Sequence, residues 1–356
     1  MIPPMPSPDA SPTLILRADE CLDHDPGEGH PENSERLRAV QDSLDKAPIA
    51  GTLTTHPRRA TRAELERVHS SAHVDRIERS ARKLWTQFDP DTSACEASHE
   101  AALRSAGATI EATESVVSGK SRGAFALVRP PGHHALPDAA MGFCLFNNVA
   151  VAAEHAIAEL GCRRVLILDP DVHHGNGTQE IFYQRKDVLY VSSHRFPFYP
   201  GTGALDEAGH GVGLGHTVNL PLPGGMGDAD FLHMYSTVVE PIVDEYEPDL
   251  ILVSAGFDTW QRDPMGGMNV TEDGYAALAA LFRSWAARHC GDRIAFTLEG
   301  GYDPQGVIAG VRAVLEALTL GASKEPREIS DSPSMAARDI ATAARRMHAE
   351  SWTSLR

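Results

Sequence analysis

The chain is poor in positive charge: 32 Lys and Arg stand against 49 Asp and Glu, a formal net charge of −17. Such a surface repels a phosphate backbone, which argues against electrostatic nucleic-acid binding, and it favours cationic partners. Cysteine is scarce as well. Cys21, Cys95, Cys144, Cys162 and Cys290 are odd in number, widely scattered and without a CxxC pair. They encode neither a disulfide framework nor a zinc finger, and they suit a reducing compartment. No apolar run approaches the roughly 18–20 residues of a membrane helix. The opening MIPPMPSPDASP has neither the basic nor the apolar region of a signal peptide. The expectation is a soluble cytoplasmic protein that engages no membrane and no nucleic acid, with the proline-rich residues 1–12 as a flexible lead.

What is present is the makings of a large core. Of 356 residues, 42% are hydrophobic and 23% charged, the balance of a globular protein. Apolar, β-rich runs recur at 13–17, 123–128, 164–169, 188–193, 216–222, 249–255 and 293–300. Several are apolar throughout instead of alternating, as in strands buried on both faces of a parallel sheet. Helical stretches lie between them at 102–117, 147–160, 228–247, 272–289 and 304–319. Strand and helix alternate, which predicts an open, doubly wound α/β sheet. The polar segment 321–334 separates this body from a short helix around 335–350. One domain over 13–320 with a C-terminal extension, 321–356, is the economical division.

In such sheets ligands bind beyond the carboxyl ends of the strands. There the chain places RPPGHHALPDAAMGFC after GAFALV and DPDVHHGNGTQ after RVLIL. AGFDTWQRDPMGG follows DLILVS, and EGGYDP follows RIAFTL. Glycine and asparagine make turns, and Asp or His are ordinary turn residues. That explains the glycines of DPDVHHGNGTQ but not the alternation Asp169, Asp171, His173. Asp171 and His173 are two apart, so both can face one side. Asp258 leaves the end of another strand; alone it would read as a helix cap. Together the three form a ligand set with room for water, the layout of a catalytic zinc site. A lone histidine is more often structural, but His133 and His134 beside such a set read as proton-transfer groups. Asp169 and Asn176 are candidates to fix their tautomers. Tyr302, flanked by Gly300 and Gly301, is placed to donate to a developing oxyanion, and the glycines allow close backbone approach.

HPENSERL (30–37), RPPGHHA (129–135), GFCLFNN (142–148), DPDVHHGNGTQ (169–179), YPGTG (199–203), SAGFD (254–258), DPMGG (263–267) and EGGY (299–302) occur in this order. The set resembles the histone deacetylase superfamily over about residues 14–320. Asn176, GFCLFNN and HHGNGTQ make it similar to the class II branch and its bacterial relatives. The resemblance implies an arginase/deacetylase-like open sheet of about eight parallel strands with helices on both faces. It implies a zinc-dependent amidohydrolase that removes acyl groups from the ε-amino group of lysine or from related amines.

Carried over by position, Asp171, His173 and Asp258 match the ligands of one catalytic zinc. His134 matches the general base and acid, and His133 its electrostatic partner, bonded to Asp169. Tyr302 matches the tyrosine that polarises the scissile carbonyl. Gly142, Phe143 and Tyr199 match the walls of a tunnel for the lysine stem, with Tyr199 replacing the commoner Phe. Gly300 and Gly301 join the substrate-binding set. Asp91 matches a rim aspartate that grips the substrate backbone, and Arg36 an arginine of the exit channel. A structural potassium would use Asp169, Asp171, His173 and Ser192. Met265 stands where polyamine-selective members carry glutamate, which tilts the reading towards acyl-lysine in a peptide or protein over an N-acyl amine.

Two other readings compete. A binuclear manganese hydrolase of the arginase type needs an Asp-x-His-x-Asp run, and Gly175 stands where the second Asp would fall. A catalytically silent acyl-lysine binder would be expected to lack the tyrosine, and Tyr302 is present. A homo-oligomer is compatible with all three.

Overall fold

The computed structural model describes residues 11–319, 329 and 331–356. The strands are β1 (Thr13–Arg17), β2 (Thr52–Thr55), β3 (Thr86–Gln87), β4 (Ser93–Ala94), β5 (Gly123–Leu127), β6 (Val165–Asp169), β7 (Val188–Arg195), β8 (Thr217–Leu222), β9 (Leu250–Ala255) and β10 (Ile294–Leu298). Eight of them form one parallel sheet in the order β2-β1-β5-β10-β9-β6-β7-β8, and β3 and β4 pair as a small antiparallel hairpin. The fold is the open, doubly wound α/β architecture expected, with helices on both faces. Each of the seven apolar runs becomes a strand. β5, β6, β9 and β10 are buried at every residue, because both sheet faces are covered. The eighth strand, β2, is the edge sequence TLTT, whose half-exposed residues carry no apolar run to announce it.

The helix expected over 228–247 is interrupted. Helical turns at Asp228–Met234 and Glu240–Tyr246 flank a π-turn at Tyr235–Val239. Pro241 has no N–H, so it cannot donate to the Thr237 carbonyl four residues earlier. Arg345 donates to that carbonyl instead, at 2.6 Å. Arg345 belongs to the C-terminal helix, Met335–His348, which Ser334 caps and which lays Ala337, Ala341, Ala344 and His348 on the body along one stripe. It packs against β8 and the Asp228–Met234 helix. The flexible lead falls almost wholly on residues 1–10, outside the described residues, as does most of the 321–334 segment. Among the described residues no helix is long and apolar enough to cross a membrane.

Candidate active site

The central strands β5, β10, β9 and β6 are neighbours, so the four polar segments that leave their carboxyl ends meet at one place. Beyond β6, Asp171 turns back to accept the backbone N–H of His173 at 2.9 Å. Beyond β9, Asp258 accepts Val172 N–H at 2.8 Å. The Nδ1 atom of His173 lies 3.2 Å from Asp171 Oδ1 and 3.1 Å from Asp258 Oδ2. All three side chains are buried, and their ligand atoms lie within 4.8 Å of one another. A tetrahedral ion with ligands at about 2.0–2.1 Å has donor-to-donor edges of about 3.3 Å, close to the 3.2 and 3.1 Å from His173 to the two carboxylates, so these residues could hold a metal ion. Beyond β10, Gly300 donates to Asp171 Oδ2 at 2.9 Å. A Cβ at this position would lie 2.2 Å from Asp258 Oδ2, so only glycine lets the strand end lie against the carboxylates.

The histidine pair sits beside this triad. His133 Nδ1 lies 3.0 Å from Asp169 Oδ2, which also accepts the Tyr190 hydroxyl at 2.8 Å. His134 Nδ1 lies 2.8 Å from the Asn176 side-chain oxygen. The His134 ring is 6.0 Å from that of His173. The two imidazoles are driven apart in charge. Burial would lower the pKa of His133, but Asp169 and Asp171 outweigh it and hold the ring cationic, up to about 10. Burial lowers His134 well below the ordinary value, helped by the positive neighbours His133 and His173. The surroundings thus favour the imidazolium at His133 and the free base at His134. Within the triad, burial and the neighbouring Asp171 push Asp258 up to about 7. The two carboxylates overcome burial at His173 and raise it to about 9. Protons and a metal ion compete for the same atoms.

Aromatic side chains pack around this cluster. Phe143 adopts φ 69° and follows Gly142 at φ 55°, whose missing Cβ would meet the His134 ring at 2.4 Å. This tight turn holds Phe143 edge-on to Tyr302, with ring centroids 6.0 Å apart. Tyr199 stands edge-on to His134 at 5.2 Å and is 36% exposed. Tyr302 lies under the Arg36 guanidinium, 5.1 Å from its ring centroid, and burial keeps its phenol un-ionised. Arg36 is itself buried and donates to Gly301 O at 2.6 Å and Glu299 O at 2.5 Å. Asp91 sits in the β3–β4 hairpin, where its carbonyl is 3.1 Å from His30 Nε2 and its carboxylate accepts from Thr92 Oγ1. Thr92 in turn accepts Phe143 N–H, which ties the hairpin to the aromatic turn. Met265 is half-buried in a turn that Asp263 closes; the same carboxylate accepts Tyr302 N–H at 2.7 Å. Ser192 is the register partner of Asp169 across β6–β7, and its hydroxyl bonds His194 at 2.9 Å.

Several parts of this site were not singled out from the sequence. Phe198 stacks on the His173 ring at 5.4 Å and 14°; the Phe-Tyr doublet before PGTG was its only signal. Glu32 lies fully buried between Arg36 and Arg129 at 2.8 and 2.6 Å. Glu299 bonds the backbone just before His134. Glu64, Glu114 and His155 also have metal-ligand spacing, but Arg58 already donates to both carboxylates.

The eight-stranded parallel sheet with helices on both faces is the arginase/deacetylase fold. The chain belongs to the histone deacetylase family, whose domain model matches residues 30–318. It is 43% identical over 333 residues to histone deacetylase 15 of Arabidopsis thaliana, an alignment covering 92% of this chain and 59% of that protein. It therefore spans less than two thirds of that relative. It is 39% identical over 296 residues to the histone deacetylase-like amidohydrolase of Pseudomonas aeruginosa, covering 82% and 77% of the two chains. The crystal structure of the HDA15 HD domain superposes with a TM-score of 0.91 at 41% identity, over 97% of this chain and 96% of that one.

Proposed function

We propose that this chain is a zinc-dependent deacylase that removes acetyl or related acyl groups from the ε-amino group of lysine. The observation that carries the reading is the placement of His134, bonded to Asn176 at 2.8 Å and 6.0 Å from the ring of His173 in the buried Asp171–His173–Asp258 cluster. Asp171, His173 and Asp258 would hold one zinc ion. When bound, it would polarise the acyl oxygen and lower the pKa of a water, from about 15.7 towards about 7 in favourable sites.

The chain's own residues do the rest. Asn176 accepts the Nδ1 proton of His134, which leaves the other ring nitrogen free to take a proton from water and deliver it to the leaving amine. His133, held by Asp169, would serve as the electrostatic partner of His134, whose ring centroid is 4.0 Å away. The un-ionised Tyr302 hydroxyl donates to that oxyanion. Phe143 and Tyr199 sheathe the four methylenes of the lysine stem, worth about 0.8 kcal/mol each if fully buried. A structural potassium beneath the triad would draw on Asp169, Asp171, His173 and Ser192, supported by the Asp169–Ser192 register pairing.

We take residues 13–320 as the catalytic domain and 321–356 as an extension that docks through the Met335–His348 helix. All five cysteines are free, which supports a reducing compartment such as the cytoplasm. The test of the function is a side-by-side kcat/KM comparison of an acetyl-lysine peptide, acetylated polyamines and longer acyl-lysines. Turnover of none of these by zinc-loaded protein would overturn the reading. Preference for the polyamines would keep the chemistry and change the substrate.

A further inference from the structure

Glu299 is a fully buried carboxylate that the mechanism above does not use. It sits one residue past β10, between the ends of β5 and β9. Its Oε2 accepts Gly132 N–H at 2.6 Å and His133 N–H at 3.1 Å, while its Oε1 accepts the Ser254 hydroxyl at 2.9 Å. Its own carbonyl takes the Arg36 guanidinium at 2.5 Å. The next residue, Gly300, holds Asp171, and Tyr302 follows three residues after Glu299. One side chain therefore ties the segment carrying the proton-transfer histidine to the segment carrying the oxyanion donor. From the other side, Gly132 packs so closely that a Cβ would lie 2.5 Å from Asn148 N. The His133–His134 turn is held between the start of the Asn148–Glu159 helix and the Glu299 carboxylate.

The geometry points to Glu299 as a positioning residue that fixes His134 against Tyr302 through the backbone of Gly132 and His133. The inference rests on the deacylase reading for its kinetic readout only. What the clamp needs is two acceptor bonds on one oxygen and one bond to Ser254 on the other, not the charge. A glutamine supplies both: its carbonyl accepts the two N–H groups and its NH₂ donates to Ser254 Oγ. The carboxyl is itself pushed up to about 7, by burial first, the direction expected where the charge is not what the site requires.

The test compares Glu299→Gln with Glu299→Ala in the zinc-loaded protein. Misplacement of a reacting group by about 1 Å can cost about 10²-fold in rate. Glu299→Ala is expected to lower kcat by roughly 10–100-fold, with KM and zinc content near wild type. Glu299→Gln should stay within about threefold of wild type on the same rationale. In ¹⁵N spectra of the histidine rings, the His133 and His134 signals should move in the alanine variant and stay in the glutamine one. If the alanine variant does not fold, Glu299→Asp, which withdraws the carboxylate by one methylene, takes its place. The inference is overturned if alanine leaves kcat and the ring signals unchanged, if glutamine loses as much as alanine, or if zinc is lost in step with activity. A wild-type protein that turns over no acyl substrate sinks the deacylase reading alone, because the ring signals still report the clamp.

Discussion

The Nδ1 atom of His134 lies 2.8 Å from the amide oxygen of Asn176, whereas His133, one residue earlier, faces the Asp169 carboxylate at 3.0 Å. A neutral acceptor orients a ring without charging it; a carboxylate orients it and favours the imidazolium. Burial and the positive neighbours then hold His134 low, while Asp169 and Asp171 hold His133 high.

Replacing that neutral acceptor should therefore move the acid limb of the pH profile. Asn176→Asp places a carboxylate beside His134 and raises its pKa, which an opposite charge at this range does by about 1–3 units. The base must be neutral to work, so the acid limb of kcat/KM shifts to higher pH, and activity at mildly acidic pH falls. Metal content should not change. An acid limb that stays where wild type has it would mean that another group sets it.

Tyr302 supplies the hydroxyl proposed to donate to the oxyanion. Its ring is held by Phe143 and Arg36, so Tyr302→Phe preserves the packing and removes only the hydroxyl. The expected loss is roughly 10²–10³ in kcat with little change in KM and normal zinc content. Retention of most of the wild-type kcat would reduce this tyrosine to a packing residue.

Metal content follows from the triad. Wild type should carry one catalytic zinc per chain, and Asp258→Ala should lose both the ion and activity. Zinc binding displaces protons from groups that titrate at about 7 and about 9 in the metal-free site. The apparent Kd should rise as the pH falls through 8 to 6, measured against a competing chelator. Two transition ions per chain, with activity surviving Asp258→Ala, would point to a binuclear site instead.

Much of this molecule is readable from its sequence, and the exceptions share a physical cause. The strands of the sheet interior stand out because both their faces are buried, whereas the edge strand TLTT has neither a buried face nor an alternating pattern. The break at Tyr235–Val239 needs knowledge of where Pro241 falls within the helix and which outside donor relieves Thr237. Asp171, His173 and the histidine pair are legible because their side chains crowd a short stretch. Glu299 is not, because its partners are backbone amides 166 and 167 residues away, and Glu32 shows only its near neighbour Arg36 and not Arg129, 97 residues on. Residue spacing carries no trace of bonds made to the main chain across a sheet.

Whether acyl-lysine peptides or acylated polyamines are the better substrates turns on Met265 and Asp91. A free polyamine carries extra positive charges beyond its acylated end and needs a carboxylate near the tunnel mouth. Met265 offers none, although its turn is tied through Asp263 to the backbone of Tyr302. The net charge of −17 is spread over the whole surface and screened beyond about 8–10 Å, too diffuse to choose between such substrates. Asp91 accepts the Thr92 hydroxyl and is half-buried in the hairpin; as a rim carboxylate it would accept the N–H groups that a peptide has and a polyamine lacks. Acetyl-lysine peptides should therefore exceed acetylpolyamines in kcat/KM. Asp91→Ala should weaken peptide turnover more than that of a small acyl-amine, and Met265→Glu should shift the ratio towards polyamines. A wild-type preference for polyamines would show that another acidic group near the mouth sets the choice. In that case Asp89, whose Oδ1 accepts Asp91 N–H in the same hairpin, is the first residue to replace.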